Sequence, residues 1–139
     1  MKKTRLLVDF DYDFDLYGIT SSSKFHKLCW AINNELKVRL VKAVDFSLEL
    51  KENKPSSYIN SHYEDDSCEI SLFKNKSPDQ ESQMILPEFP HFDFVLKIKG
   101  QFQTFAPEEL LKQLREVKYI EYIAKISLER LKSRDNFLY

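Results

Sequence analysis

The order strand, helix, strand occurs twice in this chain, and that repetition limits its fold more than any other feature. The second copy is the clearer one. Pro87 and Pro90 cannot donate to a sheet ladder, so the chain up to Pro90 reads as extended segment or the outer end of an edge strand. From Phe92 the residues Phe92, Phe94, Leu96 and Ile98 alternate with Asp93, Lys97 and Lys99, Val95 being the exception, which predicts a strand with one buried face. Pro107 then suits a first helical position, Glu108 and Glu109 suit the positive end of the helix dipole, and Leu110, Leu111, Leu114 and Val117 form an apolar stripe. Lys118 to Ser127 follows as a strand with Ile120, Tyr122, Ala124 and Ile126 on one side.

In the first copy, residues 4–16 alternate Val8, Phe10, Tyr12, Phe14 and Leu16 against Asp9, Asp11, Asp13 and Asp15, which predicts an edge strand defended by charge. Thr20 to Ser23 offers helix N-caps, and Phe25, Leu28, Cys29, Ile32 and Leu36 recur at helical spacing over 22–36. Residues 39–51 read as a long strand with Leu40, Val44, Phe46, Leu48 and Leu50 on one face. Between the copies, strands at 57–63 and 68–73 make a meander, with Cys68, Ile70 and Leu72 inward and turns at 52–55 and 64–67. Residues 75–84 read as a flexible surface loop. The expected fold is α+β in a single domain, 1–139: a mainly antiparallel sheet of about six strands with both helices on one face, ferredoxin-like and elaborated by the meander.

Composition removes several function classes. With 21 Lys and Arg against 22 Asp and Glu, no global field draws the chain to nucleic acid or an anionic membrane. Two glycines, Gly18 and Gly100, are too few for any glycine-rich phosphate loop. Cys29 and Cys68 stand in neither a CxxC nor zinc-finger spacing and read as reduced, packed thiols. Only Leu6-Leu7-Val8 follows Lys2-Lys3 before Asp9, too short for a secretory or spanning segment, so a cytoplasmic location without a membrane partner is expected. The aspartates at 9, 11, 13 and 15 fail the calcium-loop test, because Leu16 and Ser22 stand where its glycine and glutamate belong. No metal or other cofactor is expected.

Two histidine constellations could carry chemistry: His62 near Glu64, Asp65 and Asp66, and His91 between Glu88 and Asp93, where alternation places His91 beside Asp93. Neither has a nucleophile, and the expectation is that the protein is not an enzyme. Binding has the better support. Trp30 lies off the apolar stripe of its helix beside His26, Phe89 stands on proline-broken chain, and Phe73 faces away from Ile70 and Leu72. Trp30, His26, Phe89 and Phe73 are therefore the expected interaction surface for a protein partner or a second copy of the chain. An aromatic sheet face stacking RNA bases is the alternative, disfavoured by the neutral charge and the acidic strand.

The stretches Asp13-Phe14-Asp15-Leu16-Tyr17-Gly18-Ile19, Leu28-Cys29-Trp30-Ala31-Ile32-Asn33, Leu86-Pro87-Glu88 with Phe92-Asp93-Phe94, and Asn136-Phe137-Leu138 resemble the IPExxVDY family of small bacterial proteins of Bacteroidetes type. Pro87, Glu88 and Asp93 match the family's name directly, and Leu86, Phe92 and Phe94 replace apolar residues by apolar ones. The resemblance implies a stand-alone cytoplasmic bacterial protein and brings no catalytic residue with it. Within the stretch, Pro87 and Pro90 are expected to hold the entry to the strand, Glu88 to accept amides freed by the prolines, and Phe92 and Phe94 to anchor the core.

Overall fold

A computed structural model of the chain describes residues 14–43, 46–49, 55–77, 84–100 and 107–137. Its main sheet has six strands: β1 (Phe14–Thr20), β2 (Val41–Lys42), β5 (Asn60–Glu64), β6 (Cys68–Lys74), β7 (Phe94–Gly100) and β8 (Tyr122–Ile126), in the spatial order β2-β5-β6-β7-β1-β8. Every neighbouring pair is antiparallel. A separate hairpin joins β3 (Phe46–Glu49) to β4 (Pro55–Tyr58). Strand β1, helix α1 (Phe25–Leu36), the hairpin β6–β7, helix α2 (Pro107–Arg115) and β8 make the ferredoxin-like frame, and β5 and β2 extend its sheet.

Both helices cover one face. Leu28, Cys29, Ala31, Ile32 and Leu36 of α1 and Leu110, Leu114 and Val117 beyond and within α2 share a core with Tyr17, Ile19, Ile70, Leu72, Phe94, Leu96, Ile98 and Ile123. Gln113 ties the helices together, its Nε2 donating to the carbonyl of Glu35 at 3.2 Å. The opposite face is buried as well. Ile85, Leu86, Phe92, Leu131 and Phe137 pack there on Phe14, Leu16, Phe73, Val95 and Ile126. The cover comes from the segment before β7 and from 3₁₀ helices at Leu128–Arg130 and Lys132–Phe137. Phe137 is thus fully buried in this second core.

This second core explains where the sequence expectations fail. Strand β1 is not an edge: β7 and β8 flank it, so Tyr17 and Ile19 are buried on one face and Leu16 on the other. Asp15 does face away from Phe14 and Leu16, and its carboxylate lies 3.6 Å from the Lys125 ammonium; Asp9, Asp11 and Asp13 fall outside the described residues. Phe73 is only 6% exposed, packed edge-to-face on Phe137 at 5.8 Å, and so is no part of a free surface. Lys97, read as solvated, is buried with its Nζ 5.0 Å over the Phe14 ring. Asn75 and Ser77, read as loop surface, are also buried, while 78–83 lie outside the described residues.

The run expected as one strand over 39–51 divides between two sheets, β2 in the main one and β3 in the hairpin, and the run 57–63 divides likewise into β4 and β5. The Asn33 carboxamide fixes the entry to β2. Its Oδ1 accepts the Leu40 N–H at 2.7 Å and its Nδ2 donates to the Leu40 carbonyl at 3.2 Å, pinning the chain as it leaves α1. Helix α1 itself starts without a serine cap: Lys24 is the cap residue, in extended backbone with no side-chain cap bond. The serine side chains before it are engaged elsewhere: the Ser21 Oγ accepts the Ser23 N–H at 3.1 Å, and the Ser22 hydroxyl donates to Glu121 at 2.7 Å and the Ser23 hydroxyl to the Lys24 carbonyl at 3.2 Å.

Candidate functional site

The Leu86–Phe94 stretch is a joint built around Asn75. This fully buried carboxamide donates through Nδ2 to the carbonyls of Phe92 at 2.9 Å and Phe89 at 3.3 Å, and its Oδ1 accepts the Leu86 N–H at 2.8 Å. Leu86 and Phe92 are buried, whereas Pro87 and Pro90 stay at the surface. Glu88 does accept an amide, but from far along the chain: its Oε2 takes the Ser133 N–H at 2.9 Å and its Oε1 the Ser133 hydroxyl at 2.6 Å, clasping the C-terminal 3₁₀ helix. The Asp93 carboxylate accepts the Ser21 N–H at 2.9 Å, joining the entry of β7 to the exit of β1.

These engagements disperse the expected His91 constellation. Residues 90–93 precede the strand, so strand alternation does not apply there; Phe92 enters the second core rather than the face of Phe94, and the His91 ring rests on Phe92 with centroids 4.3 Å apart. Phe89 is half-buried, its ring 5.8 Å from Phe92 and 6.1 Å from His91. Tyr122, 57% exposed, completes this aromatic end of the sheet by lying nearly parallel to Phe92 at 6.3 Å. Sequence reading placed Tyr122 on one side of a strand with Ile120, Ala124 and Ile126, and missed that it opens the outermost strand.

On the helical layer Trp30 is 58% exposed, on the side of α1 away from its buried stripe, and His26 one turn earlier is exposed too. Val41, also 58% exposed, stands on the outermost strand β2, one residue beyond the Leu40 that Asn33 clamps. Val41 pairs with His62 in the ladder while Leu40 enters the helix-side core, so Val41 faces away from the helical layer and Trp30 is the large exposed apolar side chain there among the described residues. Both cysteines are free and buried: the Cys29 thiol lies 3.3 Å from the Ser61 hydroxyl, burial pushes it up from its ordinary value, and burial with the charge of Asp65 pushes Cys68 up to about 11. Neither is a nucleophile near neutrality.

One metal-ligating cluster stands among the described residues: His62, Glu64 and Glu69 bring one ligand atom each to within 4.8 Å of one another. The His62 Nε2 lies 3.3 Å from Glu64 Oε1 and 3.9 Å from Glu69 Oε1, and its Nδ1 is 2.9 Å from the Ser71 hydroxyl. Sequence reading paired His62 with Glu64 but supplied Asp65 and Asp66 instead of Glu69. Asp65 is committed to the turn, accepting the N–H groups of Ser67 at 2.8 Å and Cys68 at 2.9 Å and the Tyr63 hydroxyl at 2.8 Å, which together hold it well below the usual carboxylate range. Glu69 arrives from the neighbouring strand, and the signal for it was the 64–67 turn, whose hairpin sets Glu64 opposite Glu69.

No protein-family model matches the chain, and no curated protein matches it significantly. Among the described residues no helix is long and apolar enough to cross a membrane.

Proposed function

We propose that the protein is a non-enzymatic cytoplasmic protein-interaction module of the IPExxVDY type, docking a partner protein through the outer side of α1 with Trp30 as the anchor. The observation that carries the reading is the exposure of the chain's one tryptophan on a helix whose opposite side is fully used by the core. Tryptophan is highly buried on average, and an exposed one beside polar neighbours has the character of an interface hot spot. Exposed His26, one turn earlier on the same helix, supplies a polar rim. The RNA alternative has less support: Phe14, Phe73 and Phe92 of the second sheet face are buried and offer no stacking platform.

The test compares the wild-type chain with Trp30→Glu, a change that leaves the core untouched. Light scattering after size exclusion reads self-association, and affinity capture from the native host reads a foreign partner. Capture or association that the wild type shows and Trp30→Glu loses, with a blue shift of the single indole's emission on binding, supports the reading. Identical behaviour of the two proteins overturns it.

A further inference from the structure

We propose that His62, Glu64 and Glu69 form a binding site for a divalent transition-metal ion of the zinc type, on the outer face of the β5–β6 hairpin. Three observations carry it. The first is spacing. Ligand atoms about 2.1 Å from a tetrahedral zinc lie roughly 3.4 Å from one another. The Nε2 of His62 is 3.3 Å from Glu64 Oε1 and 3.9 Å from Glu69 Oε1, so a small rotation of one glutamate closes the set. The second is orientation. Ser71 stands directly across from His62 in the ladder and its hydroxyl lies 2.9 Å from Nδ1; with Nδ1–H donating there, the Nε2 lone pair points at the carboxylates, the support that metal-bound imidazoles ordinarily have.

The third observation is a cost that a cation removes. Glu64 and Glu69 are direct cross-strand partners, and like charges facing each other across a ladder destabilise a sheet. Lys99 stands directly opposite Glu69 from the β7 side and offsets part of this repulsion, but it faces Glu69 and not Glu64 in the ladder. A dication between the two carboxylates turns the repulsion into coordination. Glu64 and Glu69 also border a surface hollow together with Asp66 and Lys99. The imidazole and carboxylate donors suit zinc better than the oxygen-only preference of calcium or magnesium.

Calorimetric titration of the purified chain with zinc sulfate, paired with thermal unfolding with and without zinc, tests the site. One zinc per chain and a higher unfolding temperature with zinc are expected. His62→Gln and Glu64→Gln should abolish saturable binding, and Ser71→Ala should weaken it on the order of 10- to 100-fold. Glu69→Gln should lose the zinc response while the metal-free protein still folds. Cobalt in place of zinc should give no thiolate charge-transfer band. Absence of one-to-one binding, binding unchanged in His62→Gln, or a thiolate band from Cys29 or Cys68 overturns the proposal.

Discussion

The ring of Phe92 lies against the bare backbone of Gly18, so close that a methyl group there would stand 2.3 Å from its Cδ2 and Cε2. Gly18 is in the middle of β1, and its ladder partners are Val95 and Ala124. Its role is therefore space for one ring, which is wedged with Phe89, His91 and Tyr122 around it. Gly18→Ala should cost about 1 to 3 kcal/mol by overpacking. Phe92→Leu should recover part of that loss, so a double-mutant cycle in urea should give a clear coupling energy; additive losses would show that the two positions are independent.

Asn75 holds the joint from inside, and its three bonds have no solvent to replace them. Asn75→Ala leaves the Leu86 N–H and the Phe92 carbonyl buried and unpaired, at an expected cost of about 2 to 4 kcal/mol. Asn75→Asp keeps the acceptor, loses both donors and buries a charge, so it should be no better. Chemical denaturation of the two variants is the measurement. A loss well under 1 kcal/mol in Asn75→Ala would mean that the carboxamide is dispensable.

The Glu88 clasp gives an acid limb to stability. Burial pushes this carboxyl up, but the hydrogen bonds from Ser133 and from nearby backbone amides outweigh it, and the group sits below its ordinary value near 4.5. A carboxyl lowered in the folded state stabilises the fold above its unfolded value and loses that contribution as pH falls through the folded one. Glu88→Gln should therefore be less stable than wild type at pH 7, by about 1 kcal/mol or less for so exposed a group, and the difference should shrink below about pH 4.5. Thermal unfolding across pH 3 to 7 decides it, and a constant difference would count against the clasp.

The thiols should behave as packing groups. Native protein at pH 8 should react with an aromatic disulfide reagent only as fast as it opens, and denaturant should expose both Cys29 and Cys68 at once. Because Cys68 is raised in the folded state, its contribution is complete below the ordinary thiol value near 9 and is lost as pH rises toward about 11. Rapid labelling of the native chain would refute the burial of these groups.

Much of this architecture can be read from residue order, and the failures share a cause. Both helices, the β6 alternation of Cys68, Ile70 and Leu72 and the β7 alternation of Phe94, Leu96 and Ile98 fall on the helix-covered face as periodicity predicts. Periodicity speaks only for a strand with one wet face. Here a proline-broken segment and a C-terminal 3₁₀ turn bury the other face, and neither has a period to detect. Phe73 and Lys97 were misplaced for that reason, and Tyr17 and Ile19 went unread as core. The Glu64–Glu69 pair was hidden differently, since a cross-strand neighbour appears only once register is known.

The place of β1 has a consequence for how the molecule assembles. Residues 14–19 pair with 94–99 and 16–20 with 122–126, so the earliest strand among the described residues completes the sheet between two of the latest to be made. The pairings β5–β6 and β6–β7 span far shorter loops and carry a smaller closure entropy. The hairpins should thus form in the rate-limiting step and β1 should dock after it, with φ-values high at Ile70 and low at Leu16. Until that docking the facing edges of β7 and β8 are unpaired, and a chain delayed there is open to strand exchange with its neighbours.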